Sequence, residues 1–155
     1  SPWGDRVAFE RCAVQEFSTP ELFDLIVSNP PFFVDSLTCP DEGRTAARHA
    51  VHLPFDELRD AVLRLLAPAG RFAVILPTPE AARFLTACAG RLALTRRTDV
   101  RTTPRHPAKR ALMEFSRADA AATAPETSEL VVGTGEHECY TPEYRALTRD
   151  FYLKF

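Results

Sequence analysis

An alternation of buried strands and amphipathic helices in the first half of the chain most constrains its fold. Residues 23–27, Phe-Asp-Leu-Ile-Val, form a short apolar run of the length expected for a strand buried on both faces of a parallel sheet. The run stops at Asn29-Pro30-Pro31. Across residues 55–66, Phe55, Leu58, Val62, Leu65 and Leu66 share one helical face, with Pro54 before them and Pro68-Ala69-Gly70 after. Residues 71–76, Arg-Phe-Ala-Val-Ile-Leu, read as a second buried strand closed by Pro77, and residues 79–89 as a second helix stopped by Gly90. This order predicts an α/β fold with a doubly wound, mostly parallel sheet, whose ligand site lies at the carboxyl ends of the strands. Asn29 falls at such an end.

The flanking segments extend this pattern. Residues 7–14 mix apolar and polar side chains as a strand does, before residues 15–20 break the alternation. After Gly90, residues 92–100 and 110–115 read as a terminal pair of strands joined by a basic loop with Arg101, Arg105, His106 and Lys109. Residues 118–128, rich in alanine, threonine and proline, read as a loose surface connection. Gly133-Thr134-Gly135 lacks both a third glycine and a preceding βαβ unit, so it reads as a surface turn. Residues 141–153 predict a last helix with Thr141 as N-cap, Pro142 at its first position and Glu143 in its first turn. No glycine-rich strand-to-helix loop precedes the first strand, and these strands alone lack the central pair of a doubly wound sheet. The chain therefore reads as the carboxyl-terminal part of one domain over residues 1–155, with amino-terminal strands expected upstream.

Composition bounds the partners. Hydrophobic residues at 45% and charged residues at 26% suit a folded globular chain, and the net charge of −2 confines any nucleic-acid contact to a local basic patch. Cys12, Cys39, Cys88 and Cys139 form no C-x-x-C pair and have no histidine at zinc-ligand spacing, so free thiols and no metal site are expected. No apolar run approaches a membrane span, which points to a cytoplasmic protein. A monomer is the default expectation.

Asn29-Pro30-Pro31-Phe32 carries the chemistry. Asn-Pro ends strands in many proteins, but here a buried strand delivers Asn29 to the ligand edge of an α/β sheet and an aromatic follows. An exocyclic amino nitrogen is a poor nucleophile because its lone pair is delocalised. The Asn29 side-chain carbonyl and the Pro30 backbone carbonyl can each accept one amino hydrogen, aim the lone pair at an electrophilic methyl and stabilise the developing positive charge. Pro30 and Pro31 fix φ and so hold those carbonyls, and Phe32 offers a face for a flipped base. An ionised general base is unnecessary, since the methylated ammonium is acidic enough to lose its proton afterwards.

Residues 23–32, FDLIVSNPPF, resemble motif IV of the Rossmann-like class I amino methyltransferases, which include adenine-N6, guanine-N2 and glutamine-N5 enzymes. The flanks Ser1-Pro2-Trp3, Val14-Gln15-Glu16-Phe17, Arg44-Thr45-Ala46-Ala47-Arg48-His49 and the ending YRALTRDFYL at residues 144–153 resemble the bacterial tRNA1(Val) adenine-37 N6-methyltransferases along nearly the whole chain. The resemblance implies S-adenosylmethionine as cofactor, tRNA as partner, and a cofactor glycine loop and ribose-binding acid upstream. Many class I members carry an acidic residue near the cofactor adenine where this chain has Ala13, followed by Val14. The backbone amide of Val14 and the side chain of Asn29 are the cofactor contacts expected here. A chain without the glycine loop is expected neither to bind the cofactor tightly nor to methylate alone.

Two basic clusters are candidate RNA contacts: Arg44, Arg48 and His49 beyond the tetrapeptide, and Arg101, Arg105, Lys109 and Arg110 in and beside the loop, near Arg96 and Arg97. Each is also what an ordinary solvated surface looks like. His52 and His137 receive no role, and Trp3 reads as packing. Two other functions stay open: glutamine-N5 methylation of a protein, which the same motif would orient equally well, and a non-catalytic RNA-binding module.

Overall fold

The computed structural model describes residues 4–31, 53–119, 124–137 and 139–152. Five strands form one sheet: β1 (Phe23–Ser28), β2 (Leu66–Pro77), β3 (Leu92–Arg101), β4 (Arg110–Arg117) and β5 (Glu126–Val131), in the order β1-β2-β4-β3-β5. The helices are α1 (Phe55–Leu65), α2 (Thr78–Cys88) and α3 (Pro142–Thr148). No helix among the described residues is long and apolar enough to cross a membrane.

α1 and α2 bury their apolar stripes against one face of the sheet. Leu58, Ala61, Val62 and Leu65 recur at helical spacing on α1 and are buried, as are Ala81, Phe84 and Cys88 on α2. Under them lie Phe72, Val74 and Leu76 of β2 and Ala111, Met113 and Phe115 of β4, at the alternate positions that a strand presents to one side. Phe84 meets Phe55 and Phe115 edge-to-face at 5.3 and 5.5 Å, which locks the helix layer onto the strands. The opposite face carries Val27, Ala73, Ile75 and Leu112, then a polar strip in which Glu114 receives Arg96 at 2.9 Å and Arg71 at 3.8 Å.

β1 and β2 pair in parallel, as expected for strands joined by a helical crossover. The expected terminal pair of strands forms as β3 and β4, and the antiparallel β4 inserts between β2 and β3. Pro68-Ala69-Gly70, read as a helix end, instead occupies a bulge at the start of β2, where the pairing jumps from Phe23↔Leu66 to Leu25↔Arg71. A Cβ on Gly70 would lie 2.8 Å from the Phe23 carbonyl oxygen, so this close approach requires glycine.

Four expectations need correction. Residues 23–27 form a strand but not one buried on both faces: β1 is an edge of the described sheet, paired only with β2, and Leu25 and Val27 are 56% and 72% exposed because no described element covers them. Residues 7–14 form no strand: Val7 to Arg11 are irregular and exposed, with Phe9 at 90% exposure, because no described strand lies alongside to accept their backbone hydrogen bonds. The connection at residues 118–128 contains the start of β5, which pairs in parallel with β3 from Arg96↔Glu126 to Arg101↔Val131. The last helix ends at Thr148 rather than running to residue 153, although its start is as expected: the Thr141 hydroxyl accepts the Tyr144 amide at 3.3 Å.

Candidate active site

β1, β2, β3 and β5 run in one direction and β4 in the other, so one edge of the sheet gathers Ser28, Pro77, Arg101, Val131 and the first residue of β4, Arg110. That edge is the carboxyl edge of the parallel strands, where α/β folds bind ligands. β1 leaves its ladder at Ser28↔Val74 and delivers Asn29 directly to the edge. Asn29 and Pro31 are exposed while Pro30 is buried. A buried pyrrolidine with fixed φ anchors the peptide between two accessible residues, which is what holding the Asn29 carboxamide and the Pro30 carbonyl in one orientation requires. Phe32 lies outside the described residues, as do Arg44, Arg48 and His49.

Ala13 and Val14 sit in a turn on the flank of α1 rather than at the end of a strand. The Ala13 carbonyl accepts the amides of Glu16 and Phe17, each at 3.0 Å. Arg64 of α1 donates to the carbonyls of Val14 at 2.8 Å and Phe17 at 3.1 Å, and Gln15 donates to Glu57 at 2.7 Å. The turn is thereby fixed on the helix layer, with Val14 half-buried.

The basic loop after β3 reaches the same edge as Asn29, but its cations do different work. Arg101 donates to the carbonyls of His106 at 2.8 Å and of Pro104, and pairs with Glu129 of β5 at 2.7 Å. It folds the loop and fastens it to β5, so its guanidinium is already engaged. Thr78 at the start of α2 binds the loop's far end, its amide donating to Lys109 O at 3.1 Å and its hydroxyl to Ala108 O at 3.0 Å. Arg96 and Arg97 are likewise engaged, by Glu114 and by Asp99 at 2.8 Å. The exposed side chains of Arg105 and Lys109 make no hydrogen bond or ion pair among the described residues, while Arg110 is partnered. Of the expected phosphate contacts in this loop, Arg105 and Lys109 therefore present their charge outward.

A hollow of about 510 Å³ at the β3–β5 end of this edge, between residues 102–103 and the turn at residues 133–140, is not foreshadowed by any motif. Beside it, Tyr140 packs on Tyr144 at 5.4 Å, and the Tyr144 and Tyr152 hydroxyls meet at 3.2 Å. That hydrogen bond, with burial, raises the Tyr144 phenol to about 12. No helical spacing announces this pair, because Tyr140 precedes the Thr141 N-cap and lies outside α3.

This mixed sheet, with β4 reversed between β2 and β3 and helices packed on it, has the Rossmann-like fold of the class I S-adenosylmethionine-dependent methyltransferases. A predicted O-methyltransferase from Agrobacterium tumefaciens superimposes with a TM-score of 0.58 at 15% identity, covering 82% of this chain and 51% of its own, a likeness of fold alone. No family model matches the chain. In sequence, the chain is homologous to proteins named tRNA1(Val) (adenine(37)-N6)-methyltransferase: 41% identical to that of Phocaeicola vulgatus, 43% to that of Flavobacterium johnsoniae and 38% to that of Musicola paradisiaca, over 99% of this chain each time. It spans 64%, 66% and 62% of their respective lengths, just under two thirds.

Proposed function

We propose that this chain carries the acceptor-orienting half of an enzyme that transfers a methyl group from S-adenosylmethionine to N6 of an adenine in tRNA, at position 37 of tRNA1(Val). The observation that carries the reading is Asn29 and Pro30 at the carboxyl end of β1, in a chain homologous along its length to enzymes of that name. Asn29 Oδ1 and Pro30 O take the two amino hydrogens of the adenine and turn the nitrogen lone pair out of conjugation. Both acceptors stabilise the cationic nitrogen as it forms, and the proton leaves to solvent after transfer. Phe32 stacks on the base once it has left the RNA stack, and Arg44, Arg48 and His49 contact nearby phosphates.

The cofactor, when bound, supplies the electrophilic methyl. Asn29 at the ligand edge fits it, and the backbone amide of Val14, whose carbonyl is taken by Arg64, would meet a ring nitrogen of its adenine. The protein is taken to act in the cytoplasm as a monomer, with tRNA as its partner and no metal.

The test offers the full-length enzyme isotope-labelled S-adenosylmethionine with tRNA1(Val) transcripts that carry adenine or guanine at position 37, and with a protein bearing the Gly-Gly-Gln acceptor loop. Label only on the adenine transcript is expected. Label on the protein glutamine would replace this reading with N5 methylation, and label on both transcripts would remove position 37.

A further inference from the structure

We propose that the hollow between Thr102–Thr103 and the Gly133–Tyr140 turn takes an unpaired nucleotide of the same RNA, its base stacked on Tyr140; this rests on the RNA reading above. β3 and β5 lie three and four strands from β1, so the hollow is roughly 14–19 Å along the edge from Asn29. A base held there belongs to a loop nucleotide away from the methylated one. Arg105 and Lys109 stand on the loop between the two positions, where the connecting phosphates would run.

The walls suit a base better than a phosphate. Glu136 stands at the rim and repels an anion, whereas Tyr140, backed by Tyr144, offers a preorganised aromatic face. Thr102 and His137 add hydrogen-bonding groups to the walls. Backbone geometry builds the floor: Gly133 donates to Thr102 O at 2.9 Å and forms a bridge with Tyr140, and a Cβ on Gly133 would sit 3.2 Å from that same oxygen. Gly135, at φ +108°, turns the chain back in a conformation that side-chain-bearing residues rarely adopt.

Binding of an anticodon stem-loop RNA to the chain, followed by fluorescence anisotropy across a salt series, tests this. Tyr140→Ala is expected to weaken affinity by roughly 5- to 100-fold, the range for one stacked base, with an unchanged slope of log affinity against log salt. Tyr140→Phe should keep near-wild-type affinity. Equal binding by the alanine variant and wild type, equal loss in both variants, or a lowered slope would overturn the subsite. Because Tyr140→Ala can disturb the turn, wild type is also cross-linked to stem-loops carrying 5-iodouridine in the loop. An adduct at Tyr140 is expected, and its absence at every loop position would overturn the proposal. If wild type binds no RNA, the RNA reading itself falls and takes the subsite with it; if it binds and only the Tyr140 results fail, that reading stands.

Discussion

In the proposed reaction the Asn29 carboxamide takes the place of a general base: it would select one geometry of a weak nucleophile and stabilise the charge that follows. The effect is confined to the transition state, since adenine in the ground state needs no such partner. Asn29→Ala in the active enzyme is therefore expected to lower kcat by about 10²–10³-fold, as removal of one preorganised polar group does, with RNA affinity unchanged. Single-turnover methylation and a binding titration on the same variant check both halves, and near-wild-type turnover would remove Asn29 from the chemistry. The cysteines divide by environment. Burial under α2 pushes the Cys88 thiol up to about 12, partly offset by the Arg59 guanidinium, whereas Cys12 and Cys139 are exposed. Iodoacetamide at neutral pH should label Cys12 and Cys139 in the native protein and Cys88 only after denaturation, as peptide mass spectrometry would show. The unfolded chain loses this proton near its ordinary value of 9.0 and the folded chain keeps it to about 12. Unfolded protein thus binds fewer protons above pH 9, and stability should fall from there by up to about 1.4 kcal/mol per pH unit from this thiol.

Among the elements, those legible in the sequence are those whose pattern answers to one neighbour. Leu58, Val62 and Leu65 mark α1 because a single sheet face receives them, and residues 71–76 mark the centre of β2 because it is covered on one side by helices and flanked by two strands. The position of Asn29 was legible for a related reason, since an apolar run of strand length stopped by Asn-Pro-Pro, in a chain that alternates strands with helices, reads as a strand ending at the carboxyl edge. Alternation in residues 7–14 describes a two-faced segment but supplies no partner, and a strand exists only through its partner's hydrogen bonds. β5 was hidden by the opposite cause: as an edge strand with Glu126, Thr127, Ser128 and Glu129, it carries little apolar pattern to read. The hollow beside Tyr140 was out of reach because β3–β5 pairing joins segments distant in sequence. Gly70 shows how an element can rest on one atom's absence. Gly70→Ala would press a methyl against Phe23 O and Leu66 Cδ1, at 2.8 and 2.9 Å, and force β1 and β2 apart at their bulge. A loss of about 1–3 kcal/mol is expected in urea unfolding, and an unchanged midpoint would mean the bulge relaxes freely.

Over the whole molecule, the parallel strands line up three features along one edge: Asn29 after β1, the basic loop between β3 and β4, and the hollow at β5. In the proposed tRNA complex, charge in that loop would act on phosphates, which every tRNA presents alike; among the described residues the loop's outward cations are Arg105 and Lys109, because Arg101 is spent on Glu129 and the loop carbonyls. Replacing Arg101 should thus disturb the loop's fold, whereas replacing the outward pair should leave the fold intact and remove only electrostatic attraction. Arg105→Ala with Lys109→Ala is expected to weaken all tRNAs by a similar factor and to lower the slope of log affinity against log salt by roughly 1–2 units, one for each phosphate that is no longer neutralised. Preference for adenine over guanine should hardly change, because that choice rests with Asn29, Pro30 and the shape of the base pocket. Salt titrations of wild type and the double variant, with unfolding midpoints measured in parallel, separate these effects. Parallel lines of equal affinity would mean that the loop faces solvent without touching RNA, and a lowered midpoint would mean that the pair supports the loop instead.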